Sequence, residues 1–192
     1  RSPPREPSSR RSPTPGGGSI ACITGALGVA LVEMAIVITR KAAATGELDR
    51  VATALASARA ELTALADADV AAFGRYMAAL ALPKADDAEK AARKLAIQSA
   101  ALEAARAPLD AAQVAHRALA LAESAVSLVK RSVLSDVLAG ADILRGAAHA
   151  ALRNVDINLP QIVEPTRSEI ARTRVGLEAE IDATYSLVLA LR

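Results

Sequence analysis

Asp69 is the residue whose type and setting speak most directly of chemistry. At about 100° per residue along a helix, Val51, Leu55, Ala58, Leu62, Leu65, Phe73, Tyr76 and Leu80 all fall within about 40° of it. Asp69 thus lies at the centre of an apolar face, while Asp67 points the opposite way, toward solvent. A carboxylate in such a seam is costly unless it is paired or its pKa rises. A pKa raised toward neutrality is what proton transfer requires, which makes Asp69 the candidate catalytic residue. The alternative is a structural aspartate, paired with an arginine or capping a neighbouring helix.

A second carboxylate heads a comparable stripe. With Asp136 at zero, Gly140, Ile143, Ala147, Asn154 and Asn158 lie within about 40°. Such a stripe suits either a polar cleft with two amides at its end or a small-residue contact between helices. Glu33 shares a face with Cys22, Ala26 and Arg40 and reads as a salt-bridge or subunit-interface residue. His116 and His149 are far apart and read as ordinary helix residues, so no histidine metal site is expected. Cys22, alone in the chain, excludes an internal disulfide and a cysteine metal site and is compatible with a reducing cytoplasm.

A third group of candidates is a backbone surface. Pro13-Thr14-Pro15-Gly16-Gly17-Gly18-Ser19 empties into the apolar run Ile20 to Thr39, interrupted by the single charge of Glu33. Proline sets the approach, the glycines allow a close pass, and Ser19 is expected to cap the helix that follows. A helix start stripped of side chains offers free N–H groups and a positive dipole end to a carboxylate or polarised carbonyl. Two other readings of the run are a turn before a buried helix and a membrane span of about 20 residues. Glu33 and the small residues Ala21, Gly25, Ala26, Gly28 and Ala30 argue against the span.

These groups must be positioned by helices. The 192 residues are 52% hydrophobic but only 2% aromatic, and alanine-rich, with no alternating strand pattern. Residues 1–12, rich in Arg, Pro and Ser, are expected to be a disordered tail, and residues 13–192 one helical domain. After the first helix and a short connection at 42–46, a second helix spans Glu47 to Ala81 and stops at Leu82-Pro83-Lys84. A third begins near Asp86-Asp87, with acids suited to the dipole, and Pro108 marks the entry to a fourth, ending near Lys130. Ser132 or Ser135 caps a fifth through Asn158, and Pro165-Thr166 with Glu169 forms a capping box for a sixth. The expected fold is an all-α bundle of about six helices. The formal charge of +2, with Arg1, Arg5, Arg10 and Arg11 in the tail, leaves a near-neutral body and no case for nucleic acid.

Several blocks carry a family resemblance. Pro13-Thr14-Pro15-Gly16-Gly17-Gly18-Ser19 with Gly25-Ala26-Leu27-Gly28 resembles the opening signature of the cyclodeaminase/cyclohydrolase family. Asp67-Ala68-Asp69-Val70-Ala71-Ala72-Phe73 through Leu82-Pro83-Lys84 is similar to its acidic segment and stop. Pro108-Leu109 fits as well, and Ser135-Asp136 with Asn154 to Asn158 and Leu159 resembles its Ser-Asp helix and asparagine-bearing end. Between Val129 and Ser132 the chain departs from the family's usual glycine and asparagines, and Glu33 stands where a small residue is usual.

The resemblance implies an all-α homodimer acting on a folate, with no metal or redox cofactor and no membrane or nucleic-acid partner. It carries the catalytic role to Asp69 and substrate contacts to the Gly16, Gly17, Gly18 and Ser19 loop, to Asp136 as a pterin holder, and to Asn154 and Asn158. Basic residues such as Lys84, Arg40 and Lys41 would meet the glutamate tail, which in some folates is a polyglutamate. The implied reaction is formimino-tetrahydrofolate cyclodeamination, with methenyl-tetrahydrofolate cyclohydrolysis as the alternative. A non-catalytic folate-binding dimer is the reading from a different class.

Overall fold

The computed structural model describes residues 16–41 and 46–192. The expected tail at 1–12, the Pro13-Thr14-Pro15 lead-in and residues 42–45 of the connection lie outside the described residues. Five α-helices follow one another: α1 (Gly17–Arg40), α2 (Gly46–Leu80), α3 (Asp87–Val126), α4 (Leu134–Asn158) and α5 (Thr166–Ala190). No strand occurs among the described residues. Helices α1 to α4 form a ring in which each packs on the next and α4 closes on α1, while α5 lies against α3 and α4. Neighbours in the ring run antiparallel: Arg40 of α1 pairs with Asp49 of α2, and Arg75 of α2 with Glu103 of α3. One core, with Ile36, Leu55, Leu119, Leu144, Leu152 and Ile181 among its members, draws on all five helices.

Small residues set the spacing. The α1 and α4 backbones come so close that a Cβ on Gly140 would lie 2.8 Å from the Gly28 carbonyl and 2.7 Å from Val32 Cγ2. Neither glycine has a positive φ, so contact distance alone requires them. The Gly140 stripe therefore packs a helix pair along most of its length. Within α1, Cys22, Val29, Val32 and Ile36 are buried in the bundle, so this long apolar helix is a core element. Glu33 pairs with Arg59 of α2 at 2.7 Å.

The expectation of six helices is corrected to five, because α3 runs unbroken through Pro108 for 40 residues. Proline removes the N–H that would bond the carbonyl four residues back and crowds that carbonyl. Here the carbonyl is that of Ala104, and it accepts from Asn158 Nδ2 at 3.1 Å instead. The Pro108 ring is itself buried, flanked by buried alanines 101, 105, 111, 112 and 115 that favour the helix.

Three expected caps are also corrected. Gly16, not Ser19, is the N-cap of α1, and the Ser19 hydroxyl donates to the Gly16 carbonyl at 3.1 Å. A 3-10 turn at Arg131–Val133 leads into α4, so neither Ser132 nor Ser135 caps it. Glu164 rather than Glu169 serves the start of α5, its carboxylate accepting from the Ser168 N–H at 3.2 Å. Asp86 does cap α3, accepting from the Glu89 N–H at 2.8 Å, and α2 ends just before Leu82-Pro83 as expected.

Candidate active site

A cleft of about 280 Å³ opens where the start of α1 meets the middle of α2 and the end of α4. Gly16, Gly17, Gly18, Asp69, Val70, Phe73, Tyr76, Ala104, Asn154, Ile157 and Asn158 line it. Helical periodicity puts Asp69, Phe73 and Tyr76 on one face of α2, and the ring of helices turns that face toward the first turn of α1. The chain holds one Phe and two Tyr, so two of its three aromatic rings stand beside this carboxylate. Half-buried aromatic faces suit stacking against a flat ring.

Asp69 lies directly against the α1 start. A Cβ built on Gly18 would be 2.1 Å from Asp69 Oδ1 and 2.5 Å from its Cγ, so only glycine leaves room for the carboxylate there. Gly17 is constrained too, since its Cβ would meet the Asn154 amide at 3.1 Å, whereas nothing crowds Gly16. The Ser19 N–H lies on the side of the Asp69 carboxylate and favours its anion, so one orphan donor of the helix start is turned toward the chain's own acid. Asp69 thus faces both the start of a neighbouring helix and a cleft.

Burial raises the Asp69 pKa, and the Ser19 N–H pulls it back only in part. Cys22, buried on α1, is pushed up to about 11 by burial first and by the Asp69 charge second, which keeps it a neutral thiol. The chemical result is a carboxylate that holds or releases a proton nearer neutrality than a free one, beside aromatic rings and two amides.

The structure brings Gly16, Gly17, Gly18, Asp69, Asn154 and Asn158 together, with Ser19 buried behind the loop and contributing its N–H. It does not bring Asp136 to them within one chain. Asp136 stands in the first turn of α4, 18 residues before Asn154, roughly 27 Å away along the helix. Arg40 pairs with Asp49 at the far end of α1.

Lys84 lines a neighbouring cavity of about 650 Å³ instead, together with Lys90, Arg93, Lys94 and Arg167 and the acid Glu164. Lys90 pairs with Asp87, Arg167 with Glu164, and Arg93 donates to the Leu80 carbonyl. From Gln98 in this cavity to Ala104 in the cleft, α3 covers about 9 Å. Sequence reasoning missed Val70, Ala104 and Ile157 in the cleft and the basic residues of α3 and α5; charges three and four apart after Asp86 were the available signal.

Fold and cleft together define an all-helical bundle with a half-buried carboxylate in a cleft lined by Phe73 and Tyr76. A family model described as formiminotransferase-cyclodeaminase matches residues 6–176. The chain belongs to that family. A methenyltetrahydrofolate cyclohydrolase of Methylorubrum extorquens is 38% identical over 77% of this chain and 71% of its own length. Formimidoyltransferase-cyclodeaminases of Rattus norvegicus and Sus scrofa are 33% and 35% identical over 93% of this chain. The chain spans about a third of their length (34% of each). A crystal structure of formiminotetrahydrofolate cyclodeaminase from Thermotoga maritima superposes with a TM-score of 0.82 at 31% identity, covering 95% of this chain and 89% of that one.

Proposed function

We propose that this chain is a formimino-tetrahydrofolate cyclodeaminase in which Asp69 shuttles the proton. In the reaction, N10 of the folate attacks the formimino carbon, giving a tetrahedral centre. Asp69 accepts the proton that N10 sheds and returns it to the exocyclic nitrogen. The C–N bond to that nitrogen then breaks, ammonia leaves, and 5,10-methenyl-tetrahydrofolate remains. One carboxylate with a raised pKa serves both steps, as general base and then general acid. The single observation that supports this reading is the Asp69 carboxyl, half-buried against Gly18 and the Ser19 N–H at the mouth of an aromatic cleft.

We assign the remaining contacts from the residues that line the two cavities. Phe73 and Tyr76 flank the pterin, and the acidic tail runs along α3 into the basic cavity at Lys84, Arg93 and Lys94, which has room for more than one glutamate. The outward face of α1 exposes Ile20, Ile23, Leu27, Met34 and Val37, spaced by three and four in a heptad-like stripe. A second copy of the chain is the occupant we propose for it, giving a cytoplasmic homodimer. Asp136 reaches a folate only from such a second copy, with its α1 antiparallel to this one.

The alternative, cyclohydrolase action on 5,10-methenyl-tetrahydrofolate, has a specific support in the 38% identity to the Methylorubrum enzyme. Water would replace N10 as the nucleophile, with Asp69 as its base. Purified protein given each substrate separates the two, since methenyl absorbance rises with 5-formimino-tetrahydrofolate in one case. In the other it falls faster than the buffer rate with 5,10-methenyl-tetrahydrofolate. A non-catalytic folate binder would change neither rate, and Asp69→Asn would then be without effect.

A further inference from the structure

We infer that Pro108 fixes the Asn158 side chain as a hydrogen-bond acceptor for the ligand, so that the cleft selects groups bearing N–H donors. The inference rests on the proposed function for the name of the ligand, but its structural half stands on this chain alone. Pro108 lies inside α3 and has no N–H, which leaves the Ala104 carbonyl without its usual helical donor. That carbonyl is in the wall of the cleft, and Asn158 Nδ2 donates to it at 3.1 Å. The same nitrogen donates to the Asn154 carbonyl at 2.8 Å.

A primary amide has two N–H donors and one oxygen with two lone pairs. Both Asn158 donors are therefore spent on carbonyls, and a flipped amide would set its oxygen against two other oxygens. The orientation is forced by the network. Asn158 Oδ1 has no protein donor among the described residues, and Asn158 lines the cleft. Asn154, whose Nδ2 donates to the Ala150 carbonyl, and Tyr76 also line the cleft, but the side chains that present acceptors beside the glycine loop are the Asp69 carboxylate and Asn158 Oδ1. A ligand that meets them must bring N–H groups, as the amino and ring N–H edge of a reduced pterin does. A pterin whose donor edge is replaced by acceptors is rejected, because its oxygens would face oxygens in a partly desolvated site.

Pro108 is accordingly a positioning residue that acts through Asn158. In Pro108→Ala the new N–H competes for the Ala104 carbonyl, and the anchor of the Asn158 amide across the helices weakens. KM for the folate substrate is expected to rise about five- to tenfold, the worth of one hydrogen bond, with kcat within about twofold. The melting temperature should hold, alanine being the better helix former. In an Asn158→Ala background the same change should leave KM where it is. Separately, in the ligand-free protein, NMR should find the two Asn158 side-chain amide protons distinct and slow to exchange, and should find that protection lost in Pro108→Ala. Unprotected Asn158 protons in the parent protein, protection unchanged in the variant, or a KM effect equal in both backgrounds would overturn the inference. If the parent protein neither binds nor converts a reduced folate, the proposed function falls, and the NMR comparison alone decides the role of Pro108.

Discussion

Gly18→Ala is the sharpest single test of the site. The added Cβ would lie 2.1 Å from Asp69 Oδ1, where ordinary contact begins at 3.4 Å. Something must retreat by more than ~1 Å, and the Asp69 carboxyl, at the end of a side chain, moves more easily than two helix backbones. A misplacement of about 1 Å in catalytic geometry can cost roughly 10²-fold in rate. The stability account is much smaller. Loss of the Ser19 N–H contact with Asp69 removes a cap-like interaction worth about 0.5–2 kcal/mol, while alanine in place of glycine in a helix returns about 0.5–1 kcal/mol. The net change therefore runs from a gain of about 0.5 kcal/mol to a loss of about 1.5 kcal/mol, at most about 3–6 °C in Tm for a chain of this size. The variant should fold, melt near the parent and lose about two orders of magnitude in kcat, read by methenyl absorbance beside differential scanning calorimetry. Adding Asp69→Asn to it should cost little more, since both changes disable one group. Turnover within about threefold of the parent, with the melting temperature intact, would refute the placement of the proton shuttle.

Three further outcomes are expected. Asp69→Asn in the otherwise unchanged protein should lower kcat by about 10²–10⁴-fold, and the parent's kcat/KM should rise with pH along a limb above the ordinary aspartate value of about 3.9, because burial raises the Asp69 pKa. Asp182, held low mainly by its hydrogen bond to His149, ties α5 to α4, while Glu178 is held low mainly by Arg174 of its own helix and reaches α4 through His149 at 3.5 Å. Depressed folded-state values stabilise above the unfolded pKa and are lost as pH falls through the folded one, so Asp182→Asn should lower the melting temperature near neutral pH, and its gap to the parent should close in scans taken below about pH 4. Leu27→Glu, on the exposed stripe of α1 where Leu27 is 62% accessible, should shift sedimentation from dimer to monomer; a parent already monomeric at working concentration would remove the proposed interface.

What the sequence made legible was direction. The wheel around Asp69 correctly identified the face of α2 that turns inward, because an α-helix converts residue spacing into angle with little error. The glycine start of α1 and the Leu82-Pro83 stop were legible for the same local reason. Distance along an axis was not. Asp136 shares an angular stripe with Asn154 and Asn158, yet stands at the opposite end of α4, and that stripe is mostly used to seat Gly140 against Gly28. Long-range satisfaction of backbone groups was invisible as well. Pro108 looks like a break until Asn158, 50 residues on, supplies the donor that Ala104 lacks, and Ser19 looks like a cap, yet its N–H is turned toward Asp69. Each of these misreadings concerns a polar group whose partner lies on another helix.

The position of Asp69 sets two effects against one another. The start of α1 offers a positive dipole end and the Ser19 N–H, both of which favour the anion. Burial among Phe73, Tyr76 and the α1 backbone favours the neutral acid, and burial wins, since the pKa is raised. A carboxylate so balanced is stabilised in both of its protonation states by something nearby. When a ligand fills the cleft and excludes water, the burial effect grows while the helix start stays fixed. In the proposed mechanism such a carboxylate takes the proton that N10 sheds and passes it to the exocyclic nitrogen. Without the helix start the pKa would rise further, and without the burial it would fall. The glycines at 17 and 18 let both influences act on one side chain, because they allow a helix start and an aspartate to occupy nearly the same place.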